Sequence, residues 1–307
     1  MNRSNFIKNG AALLGTGLLL NTDAMANVTS AKGKGQKGKP FRLDYAPHQG
    51  MFSATARKNF LDEIRHMHEL GFRSIEDNGM PDRPAAEQAK IGDLLAKLDM
   101  RMGVFVMPKG GNSANTLAAG KKEYLDVFLK GCRQSVEICK RTGAKWTTVV
   151  PGDYERHLPI GVQTANVIEA LRRGAEIFEP HGIVMVLEML SDSPDLFLRY
   201  TDQGYAISKA VDSPACKLLY DVYHLQKNEG NLLTTMERCW SEIAYIQVGD
   251  NPGRKEPTTG EINYKNLFKW LHDKGYTGIV GMEHGMSVSV RAGEDKLVAA
   301  YREVDAF

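Results

Sequence analysis

Eight short β-forming runs recur along this chain, each followed by a longer stretch of helical periodicity. They read FRLDYAP at 41–47, FRSIEDN at 72–78, MGVFVMP at 102–108, WTTVVPG at 146–152, IVMVLEM at 183–189, KLLYDVYH at 217–224, IAYIQVGD at 243–250 and IVGMEHG at 279–285. Successive runs start 26 to 44 residues apart, room for a strand, a crossover helix and two loops. Stretches such as ARKNFLDEIRHMHELG and YLDVFLKGCRQSVEICKRTGAK carry apolar residues at helical spacing, with Gly71 and Gly143 where C-caps belong. Eight such units without a break in composition predict one closed parallel (β/α)8 barrel, an α/β fold covering residues 41–307. A doubly wound open sheet more often has fewer strands and a Gly-rich first turn, and neither a GxGxxG nor a P-loop pattern occurs.

The ends of the chain read differently. Residues 1–26 carry Arg3 and Lys8, then the apolar run Ala11–Leu20, then Ala24-Met25-Ala26, the small-x-small form of a cleavage site. This predicts an export signal peptide and, with it, a bacterial periplasmic destination. The apolar run is well short of the roughly 20 residues that span a bilayer, so no stable membrane anchor is expected. The opening NRSNFIK resembles a twin-arginine signal, except that Ser4 stands where the second arginine belongs. Residues 27–40, NVTSAKGKGQKGKP, read as a flexible Gly/Lys linker.

With 39 Lys plus Arg against 37 Asp plus Glu, the chain offers no general field for nucleic acid. Its four cysteines, at 132, 139, 216 and 239, lack CxxC spacing and read as buried thiols rather than a zinc cluster. Cys132 and Cys139, roughly 10 Å apart along a helix, cannot bridge one another.

In a parallel barrel the C-terminal strand ends converge on one face, so polar residues there share a mouth. Glu188 ends VMVLE, Asp221 ends LLYD, Gln247 lies in AYIQ and Glu283 ends VGME. Each carboxylate alone is as readily a cap or a loop salt bridge. Together they would repel one another unless a cation neutralised them, which points to a bound metal or a strongly shifted acid. An all-oxygen set favours Mg2+ or Mn2+, although ligand type alone leaves Co2+, Zn2+ and Ni2+ open. Arg254 offers a bidentate fork for a substrate carboxylate or hydroxyl, with a loop salt bridge as the other reading. His48 is placed to wall the same pocket, and Glu76 and Asp77 follow the second strand at the same level. Each serves equally well as a loop contact. Glu256 and Glu261 read as loop-structuring partners.

DVYHLQ at 221–226, the segment YIQVGDNPGRKEPTTGEINY at 245–264 and the Glu188 and Glu283 strand ends together resemble the hydroxypyruvate isomerase branch of the xylose isomerase-like TIM barrels. The resemblance spans about residues 41–302. It implies a metal-dependent aldose–ketose type isomerase acting on a small hydroxy-carbonyl or sugar substrate, with hydroxypyruvate to 2-hydroxy-3-oxopropanoate as the reference reaction. In that reading Glu188, Asp221, Gln247 and Glu283 hold the metal. Glu188 and Glu283 are also the acid/base pair that moves a proton through an enediolate, and His224 contacts substrate. Tagatose and psicose 3-epimerases share the two-glutamate plan but commonly have histidine where Gln247 stands.

A ketose 3-epimerase or isomerase working on a periplasmic keto-sugar is the alternative, and a non-catalytic exported sugar-binding protein is a third reading. An apurinic endonuclease of the same superfamily would need a histidine-rich multinuclear site and a basic groove. Two departures, His284 after the last glutamate where such isomerases have tyrosine, and PHQGMF in the first loop, are expected to face the substrate. A homodimer is expected by analogy with such barrels.

Overall fold

The computed structural model describes residues 38–56 and 59–307. The expected export signal and residues 27–37 of the linker lie outside the described residues.

Eight strands appear where the β-forming runs lie: β1 (Asp44–Pro47), β2 (Ser74–Ile75), β3 (Arg101–Met102), β4 (Trp146–Val149), β5 (Val184–Glu188), β6 (Cys216–Asp221), β7 (Ile243–Gln247) and β8 (Ile279–Met282). The helices between them are α1 (Phe60–Leu70), α2 (Ala85–Lys97), α3 (Lys122–Thr142), α4 (Ile160–Phe178) and α5 (Thr201–Val211), then α6 (Val222–Asn228) with α7 (Leu232–Cys239) after β6, α8 (Tyr264–Asp273) after β7 and α9 (Val290–Val304) after β8. Parallel pairing runs β4-β5-β6-β7-β8-β1, and β2 pairs with β3. Single parallel bridges, His48 to Glu76 and Val106 to Thr148, join β1 to β2 and β3 to β4 and complete the ring.

β2 and β3 are two residues each, shorter than the seven-residue runs at 72–78 and 102–108 predict. The interior explains the break in pairing at β3. A Cβ at Gly103 would meet the Tyr245 hydroxyl at 2.3 Å, so the chain there is shaped around an inward tyrosine instead of continuing a regular ladder.

Helix ends follow local chemistry. Asn59 caps α1 by accepting the Leu61 N–H at 3.0 Å, and Gly71 closes it in the left-handed region at φ 101°. Gly143 ends α3 in the same way, donating its N–H to the Cys139 carbonyl at 2.8 Å. The apolar stripe of α3, with Phe128, Cys132, Val136 and Cys139 all buried, repeats at helical spacing. Burying a side chain the size of Phe128 contributes about 1.5–3 kcal/mol. Gly174 of α4 lets that contact form, because a Cβ there would lie 2.9 Å from the Phe128 ring. All four cysteines are buried and free, Cys216 and Cys239 included, for which spacing alone left a bridge open.

Alternation along the strands sorts residues between the two faces of the sheet. Ala46, Val104, Val186, Leu219, Tyr245 and Ile279 form one small cluster separate from the large core under the helices, and they fill the barrel interior. Two residues further along their strands, on the same inward parity, stand Glu188, Asp221 and Gln247. Glu283 continues the parity of Ile279 and Gly281. No helix among the described residues is long and apolar enough to cross a membrane.

Candidate active site

The mouth of the barrel is built from the last residues of β5 to β8. Glu188, Asp221 and Gln247 are buried, 6%, 1% and 1% exposed, rather than rim residues. Asp221 and Gln247 are register partners on neighbouring strands. Asp221 divides its oxygens between two tasks. Oδ1 caps α6, accepting the N–H groups of Tyr223 at 2.7 Å and His224 at 3.1 Å, which leaves Oδ2 to the mouth. There it lies 3.4 Å from Arg254 Nη2 and 3.8 Å from His224 Nε2.

Glu283 is held at both oxygens. Asn78 Nδ2 donates to Oε1 at 2.8 Å, and Arg254 Nη2 donates to Oε2 at 2.8 Å. Arg254 also donates Nε to the Glu283 carbonyl at 3.2 Å. The arginine sits in the left-handed region at φ 49°, uncommon for a side chain of its size, and the loop that carries it fixes that conformation. Its N–H reaches the Asp250 carbonyl at 2.7 Å, while the Asp250 carboxylate collects the N–H groups of Thr259, Gly260 and Ile262. Glu256 and Glu261 do structure their loops, through Ser287 and through Asn251 and Gln226 respectively.

By contrast, no hydrogen bond from a described residue reaches the Glu188 carboxylate. Burial pushes Glu188 well above the usual carboxylate range, and the nearby charges of Glu283 and Asp221 push it further. Burial also raises Glu283, to about 7, with Arg254 opposing the rise and Asp221 adding to it. The two glutamates thus stand in one like-charged pocket, Glu188 buried and without a hydrogen bond among the described residues and Glu283 partly exposed and clamped.

His224 is fully buried, and burial lowers its pKa. The Ser191 N–H donates to Nδ1 at 3.2 Å, and the Ser191 hydroxyl lies 2.8 Å from the same atom. A ring nitrogen that accepts from a backbone N–H carries no proton, so the neutral ring holds its hydrogen on Nε2. That Nε2 has no partner among the described residues, and neither has Gln247 Oε1. Glu188, Asp221 and His224 each bring one potential ligand atom within 4.8 Å of the others.

The structure therefore brings together Glu188, Asp221, Gln247, Glu283, His224 and Arg254. Arg254 is engaged by two carboxylates, so the loop salt bridge weighed from the sequence is formed. His48 stands beside the site, its Nε2 3.5 Å from the Asn78 N–H. His284 departs from expectation. Its Nδ1 donates to the Gly285 carbonyl and its Nε2 pairs with the Tyr301 hydroxyl, both at 2.8 Å, with the ring stacked on Tyr301. Strand alternation turns it to the opposite face from Glu283, into the packing against α9.

The sequence does not single out Asn78, and it places Glu76 level with the pocket without separating a site role from a loop contact. Asn78 follows β2 in a loop where asparagine is an ordinary turn residue. Glu76 was indistinguishable from a loop contact, yet it is fully buried. It accepts Tyr245 Oη at 2.7 Å and Gln247 Nε2 at 3.3 Å to both oxygens. Burial and the charge of Glu283 raise it well above the ordinary range.

Known proteins resemble this chain over most of its length. Hydroxypyruvate isomerase of Escherichia coli K12 is 29% identical over 244 residues, 76% of this chain and 91% of that protein. The 2-oxo-tetronate isomerase of Haemophilus influenzae is 28% identical over 240 residues, 73% of this chain and 87% of that one. Among solved structures, the 3-keto-D-glucoside 4-epimerase of Escherichia coli superposes with a TM-score of 0.71 at 18% identity, covering 85% of this chain and 99% of that one, a likeness of fold. Residues 64–303 match the family described as xylose isomerase-like TIM barrel. With the closed eight-stranded barrel and the carboxylates at its C-terminal mouth, that match makes this chain a member of the xylose isomerase-like TIM-barrel family.

Proposed function

We propose that this protein is a metal-dependent isomerase that moves a proton between adjacent carbons of a small hydroxy-carbonyl compound, with Glu188 and Glu283 as the acid/base pair. The observation that carries the reading is the asymmetry of that pair. Glu283 is oriented by Asn78 and Arg254, Glu188 is free to approach a substrate, and the pKa values of both are raised. Carboxyls tuned toward neutrality can both take and return a proton. Likeness to hydroxypyruvate and 2-oxo-tetronate isomerases supports a keto-acid or related sugar substrate.

The donor set fits a hard divalent cation. Gln247 presents a buried amide oxygen without a hydrogen-bond donor on the strand beside Asp221, and Asp221 converges with Glu188 and His224 to within 4.8 Å, while Glu283 would have to exchange a contact with Asn78 or Arg254 to join them. These four residues would hold Mg2+ or Mn2+. When bound, the cation would act as a Lewis acid that stabilises negative charge developing on the substrate oxygens.

The chain's own groups supply the rest. One glutamate takes the proton from the substrate carbon and the other protonates the neighbouring carbon, while the proton of the substrate hydroxyl ends on the former carbonyl oxygen, so that product and substrate are isomers and exchange with solvent resets the pair. His224 Nε2–H is available to donate to a substrate oxygen, its tautomer fixed by Ser191. Arg254 holds Glu283 at a defined angle and limits how far its pKa rises. Epimerisation would follow from the same pair if the proton returned to the opposite face.

The test is conversion of hydroxypyruvate and a panel of ketoses by the purified chain from residue 27 onward, with and without Mn2+ after chelation. Metal-dependent isomerisation is expected. Products that differ from substrate only in configuration at one carbon would identify an epimerase, and no conversion despite metal binding would favour a sugar-binding protein. The expected periplasmic location follows from the segment at 1–26, and fractionation of the producing cell tests it.

A further inference from the structure

We infer that Glu76 is a positioning residue that fixes which end of the Gln247 amide faces the metal ligands. The inference rests on the reading that Gln247 is a ligand, and it concerns why glutamine can serve as one. A glutamine side chain ends in two groups of almost equal size. Its oxygen can ligate a cation and its NH2 cannot, so an unconstrained amide is half wrong.

Glu76 removes that freedom. Its carboxylate lies at the end of β2 with both oxygens 3.3 Å from Gln247 Nε2, and it offers acceptors there. The NH2 end is drawn to it, and Oε1 is left buried without a donor on the other side of the amide. Turning the amide over would give up both of these Nε2 contacts and leave the NH2 without this acceptor.

Glu76 is itself held. Tyr245, two residues before Gln247 on β7 and on the same inward face, donates its hydroxyl to Glu76 Oε1 at 2.7 Å. The barrel wall also makes room for this carboxylate. A Cβ at Gly281 would lie 1.9 Å from Glu76 Oε1, and a Cβ at Gly103 would lie 3.0 Å from Glu76 Cγ. Gly281 in β8 and Gly103 just after β3 thus border a buried acid that no other part of the proposed chemistry uses. Burying a carboxyl is costly, and here the compensation goes to a neighbouring ligand's orientation.

The experiment is Mn2+ titration, read by calorimetry and by the electron paramagnetic resonance of free Mn2+, on four forms: the unaltered protein, Glu76→Met, Gln247→Ala and the double variant. Circular dichroism melts accompany each form. Glu76→Met is expected to weaken Mn2+ binding about 10-fold or more, the usual effect of removing a group that orients a ligand. In the Gln247→Ala background the same change is expected to have little further effect, because the amide it orients is gone.

Normal affinity in a folded Glu76→Met protein overturns the inference, as do fully additive losses. If Glu76→Met does not fold, Glu76→Gln carries the test. It keeps the shape but lets the paired amides turn over, so a smaller loss in the same direction is expected and unchanged affinity overturns the inference. Undiminished affinity in Gln247→Ala, or no Mn2+ binding by the unaltered protein, overturns the ligand reading as well. A loss in Gln247→Ala without one in Glu76→Met sinks the positioning role alone.

Discussion

Arg254 donates Nη2 to Glu283 Oε2 at 2.8 Å and reaches Asp221 Oδ2 at 3.4 Å with the same nitrogen, so one guanidinium joins the ends of β6 and β8. The ion pair opposes a rise in the Glu283 pKa that burial would otherwise carry further. Its removal has a definite sign. In Arg254→Gln, Glu283 ionises at higher pH, so the acidic limb of the kcat/KM profile moves upward. Loss of orientation is expected to lower kcat/KM by about 100-fold at neutral pH. A profile whose acidic limb stays in place or moves to lower pH contradicts this role.

His284 provides a separate pH dependence, in stability. Burial lowers its pKa to about 4, so the folded state prefers the neutral ring, while an unfolded histidine titrates near 6.5. Between those values the unfolded chain binds the extra proton, and stability falls as pH drops from about 6.5 toward 4. His284→Gln is expected to flatten this slope, removing about 1–2 kcal/mol of the difference between pH 7 and pH 5. Urea denaturation at the two pH values measures it. An unchanged slope would show that His284 is not the group responsible.

Gly281 faces Glu76 across the top of the barrel, with a would-be Cβ 1.9 Å from a carboxylate oxygen. Gly281→Ala is expected to cost about 1–3 kcal/mol, as overpacking does in dense interiors. Denaturant unfolding midpoints give the value. A variant as stable as the parent would mean that Glu76 can leave its position freely.

Much of this architecture was legible beforehand, and the reason is the strength of particular patterns. VMVLE and LLYD announce a strand and its polar end in the same few residues, so β5 and β6 and the placing of Glu188 and Asp221 could be read directly. At β2 and β3 the runs FRSIEDN and MGVFVMP gave the right places but too much strand, because the interruption at Gly103 depends on Tyr245, more than a hundred residues away. The roles of Asn78 and Glu76 are not legible for the same reason. Their partners, Glu283 and Gln247, lie on the opposite side of the sequence and meet them only when the barrel closes. The expectation that His284 faces the substrate fails because alternation along an extended segment puts it on the opposite face from Glu283.

The central claim is that Glu188 and Glu283 together carry a proton between substrate carbons. Its most direct test is the incorporation of deuterium into product in D2O, measured by NMR for the parent protein, Glu188→Gln and Glu283→Gln, each loaded with Mn2+ and each checked for fold. Deuterium is expected at the reacting carbon with the parent, and a loss of turnover of about 1,000-fold or more with either variant. Normal turnover by either folded glutamine variant would contradict it.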